Sequence, residues 1–127
     1  MSKKNGAKHL DSLNFGIIGN CKSAALINED SSIDWCCLPQ FDSPSVFGKI
    51  LDDKIGGQFK ISCNPSYKLS QEYDQNTCIL ITKFESQDHE FHLIDFMPRF
   101  QKNAANYYAP PEITRLLKHI KLSLIHI

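Results

Sequence analysis

The chain has 127 residues, 42% of them hydrophobic and 22% charged, which is enough for one ordinary domain with its own core and too few for a multidomain enzyme. Fourteen Lys plus Arg balance fourteen Asp plus Glu, so no net field argues for nucleic acid or an anionic membrane as partner. Five cysteines, an odd number with Cys36 beside Cys37 and no C-x-x-C pair, suit neither a zinc knuckle nor a disulfide framework.

The opening residues 1–12 are polar and without period, and we expect a flexible lead-in there. They carry lysines but no apolar run of the kind a signal peptide needs, and no stretch approaches the ~18 apolar residues of a membrane helix. A reducing, cytoplasmic setting is the expectation, with the cysteines acting as small buried hydrophobes. From Phe15 onward, short β-branched and aromatic runs alternate with turn residues, the spacing of a meandering antiparallel sheet. The first runs cover 15–18, 24–28 and 32–38. In the third, Ile33, Trp35 and Cys37 fall on one face and Asp34, Cys36 and Leu38 on the other, so both faces carry apolar groups and burial between two layers is expected.

Ser43 followed by Pro44 offers an N-cap and a first helical residue, which predicts a short helical turn near 44–52. Gly56-Gly57 then returns the chain to extended structure, with strands expected over 58–62, 67–73 and 77–85. The last of these turns at 86–89 into a hairpin partner over 90–97. Residues 99–109 form a basic, aromatic loop. The segment 112–120 places Ile113, Leu116, Leu117 and Ile120 at helical spacing, yet its length serves equally well for a strand.

Few constellations carry chemistry. His89-Glu90-Phe91-His92 resembles a metalloprotease signature only in composition, because that motif needs histidines four apart on a helix. No phosphate loop, nucleophile elbow or dinucleotide fingerprint is present. Asp34 and Asp42 are a carboxylate pair whose separation the sequence does not set, and turn caps and interface hydrogen bonds are the expected role of such acids. Trp35 fits a core position better than a sugar platform. Tyr107-Tyr108 fits an exposed interface as well as a packed one.

The blocks Gly19-Asn20-Cys21-Lys22-Ser23-Ala24-Ala25-Leu26-Ile27 and Ser32-Ile33-Asp34-Trp35-Cys36-Cys37-Leu38-Pro39-Gln40-Phe41-Asp42-Ser43-Pro44-Ser45-Val46-Phe47 resemble the N-terminal domain of glycoside hydrolase family 15, the bacterial glucoamylase and trehalase-like enzymes. Gly56-Gly57-Gln58-Phe59, residues 73–82 and Ile94-Asp95-Phe96-Met97-Pro98-Arg99 follow in the same order. The resemblance implies an all-β fold, an antiparallel β-sandwich that is one incomplete part of a larger super-sandwich. It further implies a separate (α/α)6 catalytic domain as partner, where two carboxyl groups hydrolyse α-glucosidic bonds of trehalose or malto-oligosaccharides with inversion.

On this reading residues 13–121 are a partial domain that is itself inactive. It has no catalytic residue, metal or cofactor, and neither nucleic acid nor membrane as a partner. Asp34, Trp35, Asp42 and Ser43 are the candidates for the interface with the catalytic domain, where the loop 39–45 would wall the active-site mouth. The alternative is a free-standing carbohydrate-binding or scaffold domain. Residues 122–127 do not continue the family pattern and match a translated library adapter, so a non-native tail is expected there. An incomplete sandwich leaves sheet edges unpaired, and the isolated chain is expected to aggregate or fold poorly.

Overall fold

A computed structural model describes residues 14–122. The lead-in over 1–12 and the tail beyond Leu122 lie outside the described residues. Strands β1 (Phe15–Gly19), β2 (Ala24–Asn28), β3 (Ile33–Cys37) and β4 (Ser45–Phe47) form one antiparallel sheet in sequence order. A second is ordered β10-β7-β6-β5, from β5 (Lys68–Tyr73), β6 (Leu80–Glu85), β7 (His89–Phe96) and β10 (Thr114–Leu122). Between β7 and β10 in the chain, β8 (Phe100–Gln101) and β9 (Tyr107–Tyr108) make a small two-stranded hairpin. There is no helix among the described residues, and the expected all-β antiparallel sandwich is what forms.

Alternation makes the core. In the second sheet, cross-strand partners place Leu69, Phe84 and Phe91 in one inner row, Gln71, Thr82 and Leu93 in the next, and Tyr73, Leu80, Asp95 and Arg115 in a third. Phe84 and Phe91 stack at 4.8 Å between centroids. Ile18, Ala25, Ile27, Ile33 and Cys36 of the first sheet meet Leu80 and Met97 of the second chain half in one buried cluster. Gly16 permits this approach, since a Cβ there would lie 2.6 Å from Leu80 Cδ2. Gln71 links the sheets by directional bonds, donating from Nε2 to Asn28 O (2.8 Å) and Thr82 Oγ1 (3.1 Å). At the free edge of β1, the Tyr73 hydroxyl accepts from Ile17 N (2.8 Å) and donates to Ile17 O (3.2 Å).

Three expectations need correction. The helical turn near 44–52 shrinks to one turn, in which Gly48 O accepts from Leu51 N and Asp52 N. Residues 45–47 instead pair with β3 as β4, because hydrogen bonds to an existing strand outweigh a cap with little helix behind it. The strand over 58–62 reduces to a single bridge between Ile33 and Phe59. Its predecessor, the 48–57 loop, closes tightly instead: Gly48 N donates to Gly56 O (2.7 Å) and Gly56 N to Asp52 O (2.8 Å). A Cβ on Gly56 would sit 2.2 Å from Gly48 O, so no other residue fits. Finally, the cysteines divide: Cys36 and Cys37 are buried, but Cys21 and Cys78 are exposed. Cys21 (φ 73°) occupies a tight turn and Cys78 lies in the β5–β6 connection, where neither has a core to enter.

Candidate functional site

The strict alternation expected for β3 fails at one residue. Leu26 partners Trp35 and Ile27 partners Ile33, so Asp34 is the extra residue of a β-bulge. The bulge turns its carboxylate into the β2–β3 connection, where Asn28 Nδ2 donates to Oδ2 (2.9 Å) and Ser32 Oγ donates to Oδ1 (2.6 Å). Asn28 serves as the hub of this turn. Its Oδ1 also accepts from Asp30 N (2.8 Å) and Ser32 N (3.0 Å). A short Asx-type turn of this kind fixes the hairpin without a glycine, although Ser31 adopts φ 72°.

The other sequence candidates lie elsewhere. Trp35 sits in mid-strand and is half-buried. Asp42 and Ser43 belong to the loop after β3, which starts at the cis Leu38–Pro39 bond. There Phe41 N donates to Lys22 O (3.0 Å) and Gln40 N to Ser43 Oγ (3.1 Å), and Lys22, Gln40, Phe41 and Asp42 line an open depression. Lys22 marks the β1–β2 end of the sheet and Asn28 the β2–β3 end, so a five-residue strand, roughly 15 Å, separates Asp42 from Asp34. These two acids are therefore not brought together as a catalytic pair.

The sequence reading missed a buried ion pair. Asp95 on β7 is fully buried and accepts from Arg115 of β10 through Nε (2.7 Å) and Nη2 (3.1 Å). The same guanidinium donates to Phe59 O (2.8 Å) and to Ser31 O, and its Cζ lies 4.9 Å over the Phe59 ring. One side chain thus ties β7 and β10 to the β2–β3 turn and the Phe59 bridge. Burial raises the Asp95 carboxyl above its usual range, against the opposing pull of Arg115. A signal was present, because Asp95 alternates with Leu93 and Met97 on an inward face and an acid there requires a cation.

Remaining groups are committed locally. His92 Nε2 lies 2.8 Å from Glu90 Oε2, and no cluster of three metal-ligating side chains occurs among the described residues. Burial, with Cys37 adding to it, pushes the Cys36 thiol up to about 11, which keeps it protonated at neutral pH. On the β8–β9 hairpin, Arg99 lies 4.1 Å over the Tyr107 ring and Lys102 4.7 Å over Tyr108. No helix of the described residues is long and apolar enough to cross a membrane.

Comparison with known proteins gives a consistent picture. The family described as trehalase-like, N-terminal matches residues 5–114. Trehalase 2 of Sulfolobus acidocaldarius is 42% identical over 86 residues, covering 68% of this chain and 14% of that protein. The trehalase of Thermoplasma volcanium is 36% identical over 106 residues, 81% of this chain and 16% of that protein. The trehalase of Mycolicibacterium smegmatis is 34% identical over 73 residues, 57% and 11% respectively. The chain thus spans about one seventh of the curated relatives it matches. No solved structure matches it significantly.

Proposed function

This chain belongs to the trehalase-like N-terminal domain family, and from that premise we propose that it is the non-catalytic β-sandwich portion of an inverting glycoside hydrolase of family 15. The enzyme acts in the cytoplasm on α-glucosidic bonds, with trehalose or malto-oligosaccharides as substrate. Its partner is an (α/α)6 catalytic domain that supplies the acid and the base.

One observation carries the non-catalytic reading: among the described residues, the two buried carboxylates are already engaged. Inverting hydrolysis needs an acid that reaches the leaving oxygen and a base that reaches water, about 6.5–9.5 Å apart. Asp34 is held by Asn28 and Ser32, and Asp95 by a two-pronged Arg115, so neither faces a substrate. Asp42, Ser43 and the exposed loop 39–45 remain for contact with the catalytic domain, and Trp35, half-buried in β3, is a further candidate for that interface. Incubating the purified chain with trehalose should release no glucose above the buffer rate, and steady release would overturn the reading. In the full-length enzyme, Asp42→Ala should lower turnover or stability; no change in either sinks the interface assignment.

The free-standing carbohydrate-binding alternative draws on the exposed rings of Phe100, Tyr107 and Tyr108. It is the weaker reading, because Arg99 and Lys102 already cover a face of each tyrosine. Titration with maltose or trehalose separates the two, with no binding expected.

A further inference from the structure

An asparagine holds the turn at each end of β2, and both are buried. Asn28 Oδ1 accepts from the amides of Asp30 and Ser32, and Asn20 Oδ1 from those of Lys22 (2.9 Å) and Ser23 (2.9 Å). Such bonds stand in for a backbone turn, and at the first end they hold Cys21 at φ 73°, a conformation that a residue with a side chain seldom takes. The two ends differ in what hangs from them.

Loop 39–45 is tied to the Asn20 turn at two points. Ser23 Oγ donates to Cys37 O, where β3 ends and the loop approaches, and Lys22 O accepts from Phe41 N (3.0 Å) within the loop. The bonds from Gln40 N to Ser43 Oγ and from Ser43 N to Gln40 O stay inside the loop, so they fix its shape rather than its place. Asn20 Nδ2 donates to Pro110 O (3.1 Å), a buried contact 90 residues along the chain. That bond settles which way the carboxamide faces, since the reverse would set its oxygen against a carbonyl and its nitrogen against two N–H groups. The turn is thereby fastened to the segment that follows β9, and the loop to the turn.

We propose that Asn20 is a positioning residue for the interface: through Lys22 and Ser23 it sets where Asp42 and Ser43 stand against the catalytic domain. The inference rests on the reading of loop 39–45 as that interface. It adds a residue that is 1% exposed and so acts only through its neighbours.

The test is a set of double-mutant cycles in the full-length enzyme, read as kcat for glucose release from trehalose or maltose. Asp42→Ala reports on the loop and should lower kcat. Asn20→Ala should lower it about tenfold, within the range that a small misplacement costs, and should add little to Asp42→Ala, because both act through one loop. Asn20→Ser keeps an acceptor for the turn amides and should restore most of the loss. Asn28→Ala, the same chemistry at the far end of β2, should instead combine with Asp42→Ala additively. In the present chain, exchange of the Phe41 amide should quicken in Asn20→Ala and stay slow in Asn28→Ala. If Asp42→Ala leaves kcat unchanged, the interface reading falls and this inference with it. If Asp42→Ala lowers kcat but Asn20→Ala does not, or adds to it in full, the inference alone falls. Should Asn20→Ala fail to fold, Ser23→Ala removes only the tie to Cys37 O and runs the same cycle, where full additivity again overturns the inference.

Discussion

Asp34 and Asp95 are both carboxylates removed from water, 5% and 0% exposed, yet the two regions that hold them solve the problem differently. At the β2–β3 turn the answer is local and neutral: Asn28 and Ser32, within six residues, donate to Asp34. At the β7–β10 pair it is distant and ionic: Arg115 lies 20 residues away and brings its own charge into the interior. The first arrangement fixes a turn that the local sequence already favours. The second fixes the docking of β10 and of the Phe59 segment, which the local sequence leaves open.

The contrast is broken most forcefully at Arg115. Arg115→Met leaves Asp95 buried without a counter-charge and should cost about 3–5 kcal/mol of stability, measured by urea unfolding. The paired variant Asp95→Leu with Arg115→Met should recover most of that loss, because the pair also bears its own desolvation cost. A cost below about 1 kcal/mol for Arg115→Met would place the ion pair no higher than a surface one. Asn28→Ala comes next. It removes the donor to Asp34 and the acceptor for two turn amides, for an expected loss of about 2 kcal/mol in the same assay.

A pH series sharpens the comparison. Burial raises the Asp95 carboxyl, so the folded state favours its acid form. That contribution to stability is present below the unfolded value of about 3.9 and is lost as pH rises through the folded one. Relative to Asp95→Asn, the native chain should lose stability as pH climbs above about 4. A flat or rising difference would mean that Arg115 outweighs burial. The smallest effect is expected at the exposed Lys83–Glu72 pair (2.5 Å), where Lys83→Met should leave the unfolding midpoint unchanged.

Much of the fold was legible because alternation is a local signal: 15–18, 24–28, 32–38 and the hairpin through 86–89 all became strands close to the expected bounds. The ambiguous 112–120 became β10, a choice made by Leu93 and Asp95 across the ladder rather than by its own period. Residues 45–47 misled for the same reason, since their partners Cys36 and Cys37 lie outside any local window. In the candidate site, Asp42 and Ser43 did fall together in one loop, but Asp34 did not join them. Asp34 lies at the start of β3 and Asp42 follows its end, so the strand itself keeps them apart, and a one-residue bulge, invisible to a two-residue period, sets which way the Asp34 carboxylate turns. Arg115 carried no local cue, because its four acceptors come from three separate stretches of chain.

The division among the cysteines makes the molecule its own clock. Cys21 and Cys78 are open to a maleimide or disulfide reagent in the native state, whereas Cys36 and Cys37 are sealed and Cys36 is further silenced by its raised pKa. With the half-buried Cys63 replaced by serine, two thiols count every molecule, and the adjacent pair counts only those whose first sheet has parted. Pulse labelling read by mass should resolve a fast class from a slow one, and the slow rate gives the opening free energy of the core without denaturant.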